Sequence, residues 1–118
     1  MRNLVAGLLD VCGVLVFVAI GRASHEEAGS VAGFAGTAWP FLVGLAAGWG
    51  IVRAWRRPGG LAPVGVGVWM TTVVVGMVLR VVSGQGTAFA FVLVALAFLA
   101  LVLLGWRAVG TRLAPQRT

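Results

Sequence analysis

Charge is what this chain has least of. Charged side chains make up 10% of its 118 residues, lysine is absent, and the acids are Asp10, Glu26 and Glu27. With 60% apolar residues and a mean hydropathy of +1.04, too few polar groups remain to cover a water-soluble domain. The bilayer is the solvent this composition suits. A single cysteine, Cys12, excludes an intramolecular disulfide, and its place inside an apolar run reads as packing rather than reactivity. The single histidine, His25, stands apart from it, so neither a metal site of the usual kinds nor a haem held by two histidines of one chain can be built. No nucleophile and base stand out as a pair. Gly65-Val66-Gly67 lacks the third glycine and the strand-to-helix setting of a phosphate loop. The chain is therefore expected to be no enzyme, with no cofactor and no metal.

The formal charge of +6 comes from nine arginines. They stand at the ends of apolar runs and form no patch with interleaved aromatics, so a nucleic-acid partner is not expected and the arginines read as topology signals. A ~30 Å hydrocarbon core takes roughly 20 helical residues to cross. Apolar segments of that order lie at about residues 4–22, 38–55, 64–82 and 88–106. The predicted fold class is all-α: a polytopic membrane protein, one four-helix transmembrane bundle over residues 1–118, with residues 107–118 as a frayed basic tail. Placing both termini in the cytoplasm puts Arg2, Arg53, Arg56, Arg57, Arg107, Arg112 and Arg117 inside, against Arg22 and Arg80 outside.

The first segment reads as a span rather than a cleaved signal, because it carries an acid and leads into another membrane segment. At ~100° per residue, Asn3, Gly7, Asp10, Val14 and Gly21 share a small or polar stripe that should face protein. Residues 24–37 read as a Gly/Ala/Ser-rich connection. Thr37 is expected to cap the second helix, with Pro40 in its first turn. Gly44 and Gly48 form a G-x-x-x-G face suited to close helix contact, and Trp39 and Trp55 flank that helix as interfacial anchors. In the third segment Trp69, Thr72, Gly76 and Arg80 recur at helical spacing, Gly76 as a packing position. The fourth is uncharged, its Phe89, Phe91 and Phe98 suiting lipid or packing.

Two constellations are candidates for function. Asp10 lies about 9 Å along the first helix from its inner boundary, a depth at which an ionisable group is by default a functional hypothesis. It reads either as a transport or proton site together with Thr72, or as a protonated carboxyl bonded to Thr71 or Thr72. Arg22, His25 and Arg80 reach the outer side, where they could hold a phosphate or carboxylate; the alternative is that the arginines pair with Glu26, Glu27 or lipid headgroups.

These residues carry a resemblance. Asp10 in helix one, Gly21-Arg22-x-x-His25, Pro40-Phe41, Gly76-x-x-x-Arg80 and Gly105-Trp106-Arg107 together resemble the DUF3054 family of uncharacterised small four-helix membrane proteins. What that implies is fold and membrane location, with no activity. A looser similarity is to the small multidrug-resistance transporters, four-helix proteins with an acid in helix one. Asp10 would take that place, and Gly65-Val66-Gly67-Val68-Trp69 is similar to their glycine-rich third helix.

The expected function is a small oligomeric transporter or channel-like protein using Asp10 as its titrating group. The alternatives are a non-transporting accessory or scaffold subunit, contacting a complex through helix two and anionic lipid through its arginines, or a binder of an extracytoplasmic anion or lipid headgroup. Expected partners are membrane lipids, further copies of the chain and a small solute or anion, in the plasma membrane of a bacterium or archaeon.

Overall fold

A computed structural model describes residues 3–24, 31–85 and 89–113. Within these the chain is helical, without strands: α1 (Asn3–Ser24), α2 (Val31–Val52), α3 (Val66–Val82), α4 (Phe89–Leu99) and α5 (Gly105–Leu113). A π-turn over Ala100–Leu104 joins α4 to α5, so the two make one long rod. Among the described residues four helices are long and apolar enough to cross a membrane, the last running Phe89–Arg112. The bundle measures 43 × 24 × 23 Å, and its long dimension matches the ~40–45 Å of a whole bilayer.

Every helix leaves large apolar side chains outside, among them Leu4, Leu8, Ile51, Val78, Phe89 and Leu101. In lipid that surface is solvated. The core is narrower. From α1 it takes Ala6, Asp10, Val14, Phe17 and Val18, so the first helix buries part of the predicted stripe and leaves Asn3 exposed. Phe17 stands edge-on to Phe41 with ring centroids 5.4 Å apart and lies 5.7 Å from Phe98, tying α1 to α2 and α4.

The closest approach is between α2 and α3, and glycine is the reason. A Cβ on Gly44 would lie 2.7 Å from the Thr72 carbonyl oxygen, and one on Gly48 would lie 3.2 Å from the Val68 Cα. Gly76 leaves room for the Phe41 ring, whose Cδ1 would be 2.6 Å from an added Cβ. Small residues thus let two backbones touch, as in lipid-embedded helix pairs.

Helix bounds differ from the sequence reading in three places, each with a local cause. The second helix starts at Val31, not near residue 38, and contains Pro40. Thr37 does not cap it; its Oγ1 donates to the Gly33 carbonyl at 3.1 Å within the helix. Pro40 has no N–H to give the Gly36 carbonyl, and Gln85 Nε2 supplies the missing bond at 3.0 Å from the far connection. At its other end α2 stops at Val52, short of residue 55, because Arg53 turns left-handed (φ 53°, ψ 54°) into a 3₁₀ turn over Ala54–Arg56. The fourth span does not end at residue 106: α5 continues to Leu113, so residues 107–113 are helix rather than frayed tail.

The end of α3 follows a known closing pattern. Gly84 at φ +80° lets the Gly84 amide donate to Val81 at 3.1 Å and the Gln85 amide to Arg80 at 2.8 Å, which satisfies the last carbonyls. Gln85 is thereby delivered to both Arg80 and Gly36. We expect Gly44→Ala to lower stability in detergent by roughly 1–3 kcal/mol through overpacking on the α3 backbone. Gly50→Ala, whose Cβ would meet nothing within 4 Å, should be neutral or slightly stabilising. Denaturant titration followed by circular dichroism distinguishes the two.

Candidate functional site

The one acid among the described residues sits in the most polar cluster of the bundle. Asp10 of α1 and Arg107 of α5 are both fully buried and joined by a two-pronged ion pair. Arg107 Nη1 donates to Asp10 Oδ1 and Nη2 to Oδ2, each at 2.8 Å. Each oxygen also accepts an indole N–H: Trp106 Nε1 reaches Oδ1 at 2.7 Å, and Trp49 Nε1 of α2 reaches Oδ2 at 2.8 Å. The rest of the guanidinium is also occupied. Nε donates to the Pro58 carbonyl at 3.0 Å, and Nη1 to the Leu103 carbonyl at 2.9 Å. Among the described residues no buried side-chain nitrogen or oxygen lacks a partner.

Local backbone geometry aims these groups. Ala95, Leu99, Leu103 and Arg107 are all fully buried at a spacing of four residues. On an uninterrupted α-helix twelve residues would overshoot three turns by ~120°, and one extra residue in a π-turn removes ~100° of that. The π-turn at Ala100–Leu104 therefore holds Arg107 on the stripe that faces α1. Room for its methylenes comes from Gly65, where a Cβ would stand 2.8 Å from Arg107 Cδ. The Trp106 ring lies under the guanidinium, 4.4 Å from Cζ to centroid, adding a cation–π contact.

Energetically the cluster is poised between two large terms. Removing each ion from water costs several kcal/mol, and only good geometry with saturated hydrogen bonding offsets that cost. Paired donors on planar acceptors supply such geometry, and the two indoles complete the shell that water would otherwise fill. All four bonds to Asp10 use its oxygens as acceptors, which is the role of a carboxylate; a protonated carboxyl would need an acceptor of its own.

Several sequence-based expectations change here. Asp10 is bonded to neither Thr71 nor Thr72; the Thr72 hydroxyl instead donates to the Val68 carbonyl of its own helix at 2.7 Å. Asp10 and Thr72 are therefore not joined into one site by a hydrogen bond. Arg107, expected in a cytoplasmic tail, is the counter-ion inside the bundle. Apolar periodicity marks neither Trp49 and Trp106 as partners of Asp10 nor the Pro58 carbonyl as a partner of Arg107. A depth argument could have found Arg107, since Asp10 lies two turns from one membrane boundary and Arg107 closes the last apolar segment at that same boundary.

Of the outer constellation, only the Arg80 side chain is among the described residues. The Arg22 side chain and all of His25 lie outside the described residues. Arg80 is engaged: Nη1 donates to Gln85 Oε1 at 3.1 Å, Nη2 lies 3.4 Å from the Gln85 carbonyl, and Cζ sits 4.3 Å over the Phe91 ring. Its guanidinium holds the α3–α4 connection against the helix.

Asp10→Asn should cost about 3–5 kcal/mol of stability, because it strands a buried guanidinium. Arg107→Gln should cost a similar amount. The double variant should be less destabilised than the sum of the singles by roughly 2–3 kcal/mol, a coupling that denaturant titration of all four proteins measures.

The family model described as protein of unknown function, DUF3054, matches residues 7–110. No curated protein and no solved structure matches the chain. The matched stretch takes in Asp10, Trp49, Pro58, Trp106 and Arg107, so the whole buried cluster falls within it. With a match that spans nearly its full length, the chain belongs to the DUF3054 family of proteins of unknown function, and it carries four helices long and apolar enough to cross a membrane among its described residues.

Proposed function

We propose that this protein is a non-catalytic, non-transporting accessory or scaffold component of a membrane, held in one conformation by the Asp10 cluster. The observation that supports this reading is the saturation of Asp10: each carboxylate oxygen accepts two hydrogen bonds, and the side chain is fully buried. A group that carries protons or solutes must exchange partners with water at some stage of its cycle. Opening this one would separate a buried ion pair and pull apart α1, α2 and α5 together. Such a contact favours a single state over the two that alternating access needs.

The transporter reading has less support. Its likeness to small multidrug-resistance proteins leans on Asp10 and on the glycines of 65–67. Here Asp10 is neutralised within the chain, Gly65 accommodates Arg107, and Gly67 abuts Val52. One feature does favour it: an apolar groove of about 380 Å³ between α1 and α2, lined by Gly7, Val11, Leu42, Leu45, Ala46 and Trp49, brings the surface within one indole ring of Asp10. A lipid chain or a copy of the protein suits its apolar walls better than a polar solute does.

Contact with a larger complex would use outward Leu and Val faces. The Gly44–Gly48 face is already taken by α3. For orientation, removing Arg107 from the count leaves Arg2, Arg53, Arg56, Arg57, Arg112 and Arg117 on one side, against Arg22 and Arg80. That bias supports cytoplasmic termini.

In proteoliposomes under a potassium diffusion potential, a pH-sensitive dye inside should record the same proton leak with the wild type as in protein-free vesicles. A leak that requires the protein and disappears in folded Asp10→Asn would overturn the scaffold reading in favour of transport.

A further inference from the structure

Among the arginines whose side chains are described, Arg80 and Arg107 differ from Arg53, Arg56 and Arg57, and the second group points to a ligand. Arg80 and Arg107 are spent on internal partners. Arg53, Arg56 and Arg57 are not: all three are exposed, and among the described residues none of their side chains has a hydrogen bond, ion pair or ring contact. Asp10 is the only acid among the described residues, and Arg107 already neutralises it. Among the described residues no carboxylate is left to serve the three.

The backbone builds these arginines into a cavity. The left-handed Arg53 reverses the chain at the end of α2, a conformation unusual for a residue with a side chain and one that recurs at ligand clamps. A chain of turn bonds then closes the hairpin: Arg56 N–H to Arg53 at 3.0 Å, Arg57 N–H to Ala54 at 3.1 Å, and Gly60 N–H to Arg57 at 2.9 Å. The result is an open bowl of about 200 Å³ lined by Arg53, Arg56 and Arg57 together with Gly60, Pro63 and Val64. From inside the bundle, Arg107 Nε grips the same hairpin at the Pro58 carbonyl. The bowl is therefore a fixed shape rather than a loose turn.

Position and chemistry narrow the ligand. The hairpin joins two membrane spans, so it lies at the level of lipid headgroups, and Trp55 beside it is half-exposed in the manner of an interfacial anchor. Guanidinium groups bind phosphate oxygens through paired N–H donors, and several arginines around one concavity can share the oxygens of a single phosphate. We propose that the Arg53–Gly60 hairpin is a binding site for a phosphate-bearing anion. The group can be presented by the headgroup of an anionic phospholipid or by a free phosphate. This assignment does not depend on the scaffold reading.

The test uses the full-length protein in mixed micelles, with phosphatidylglycerol or phosphatidylcholine as probe and retained lipid counted by native mass spectrometry. The wild type should retain phosphatidylglycerol in preference to phosphatidylcholine, and R53Q/R56Q/R57Q should lower that retention about tenfold or more. The charge-matched variant R2Q/R112Q/R117Q should keep it. Both variants should melt with the wild type, since Arg53, Arg56, Arg57 and Arg112 are exposed. Millimolar inorganic phosphate separates the sources: failure to displace the lipid assigns the site to headgroups, and displacement assigns it to the phosphate group in solution. Equal loss in the two triple variants, or loss in neither, would overturn the proposal, because binding would then follow net charge or other residues.

Discussion

The ion pair between Asp10 and Arg107 is the contact on which the rest of the bundle depends. It joins side chains 97 positions apart, and so ties the first helix to the last. In lipid no hydrophobic effect drives helices together, so a contact of this kind carries a larger share of the specificity than it would in water. An unpartnered carboxylate or guanidinium at that depth would be strongly unfavourable, which makes alternative packings of α1 and α5 costly. Trp49 extends the same constraint to α2, and Pro58 extends it to the α2–α3 hairpin.

Around that cluster, backbone irregularities are matched by side-chain bonds from elsewhere. Pro40 leaves a carbonyl bare, and Gln85 covers it; the αL glycine after α3 is what brings Gln85 into reach. The π-turn before α5 changes which face of the last helix looks inward, and Gly65 makes the space that this face needs. Trp69 adds an indole bond to the Leu96 carbonyl at 3.0 Å, linking α3 to the last span just before the π-turn. Such pairings leave no buried side-chain nitrogen or oxygen without a partner among the described residues.

Function is then sought on the outside. The described acid and two of the arginines are consumed in holding the fold, and the described groups left facing outward include the arginine hairpin and the exposed apolar helix surfaces. The first suits a phosphate anion, the second lipid chains or other membrane helices. Arg107 connects the interior to that surface, because one guanidinium binds Asp10 with two of its nitrogens and the hairpin backbone with the third.

Much of the architecture was determined by sequence alone. Composition, the spacing of the apolar segments and the scarcity of charge required a helical membrane bundle, since a bilayer admits few other structures for such a chain. The order of Asp10, Pro40-Phe41, Gly76-x-x-x-Arg80 and Gly105-Trp106-Arg107 carried the family. Where local signals competed with distant partners, the sequence was not sufficient. Thr37 and Pro40 resemble a helix start, but Gln85, 45 residues further on, makes a continuous helix tolerable. Asp10 could be seen to need a partner, yet which partner was decided only by tertiary structure. The choice between Thr72 and Arg107 rests on a one-residue register shift in the last helix and on the room beside Gly65, neither of which has a counterpart in hydrophobic periodicity.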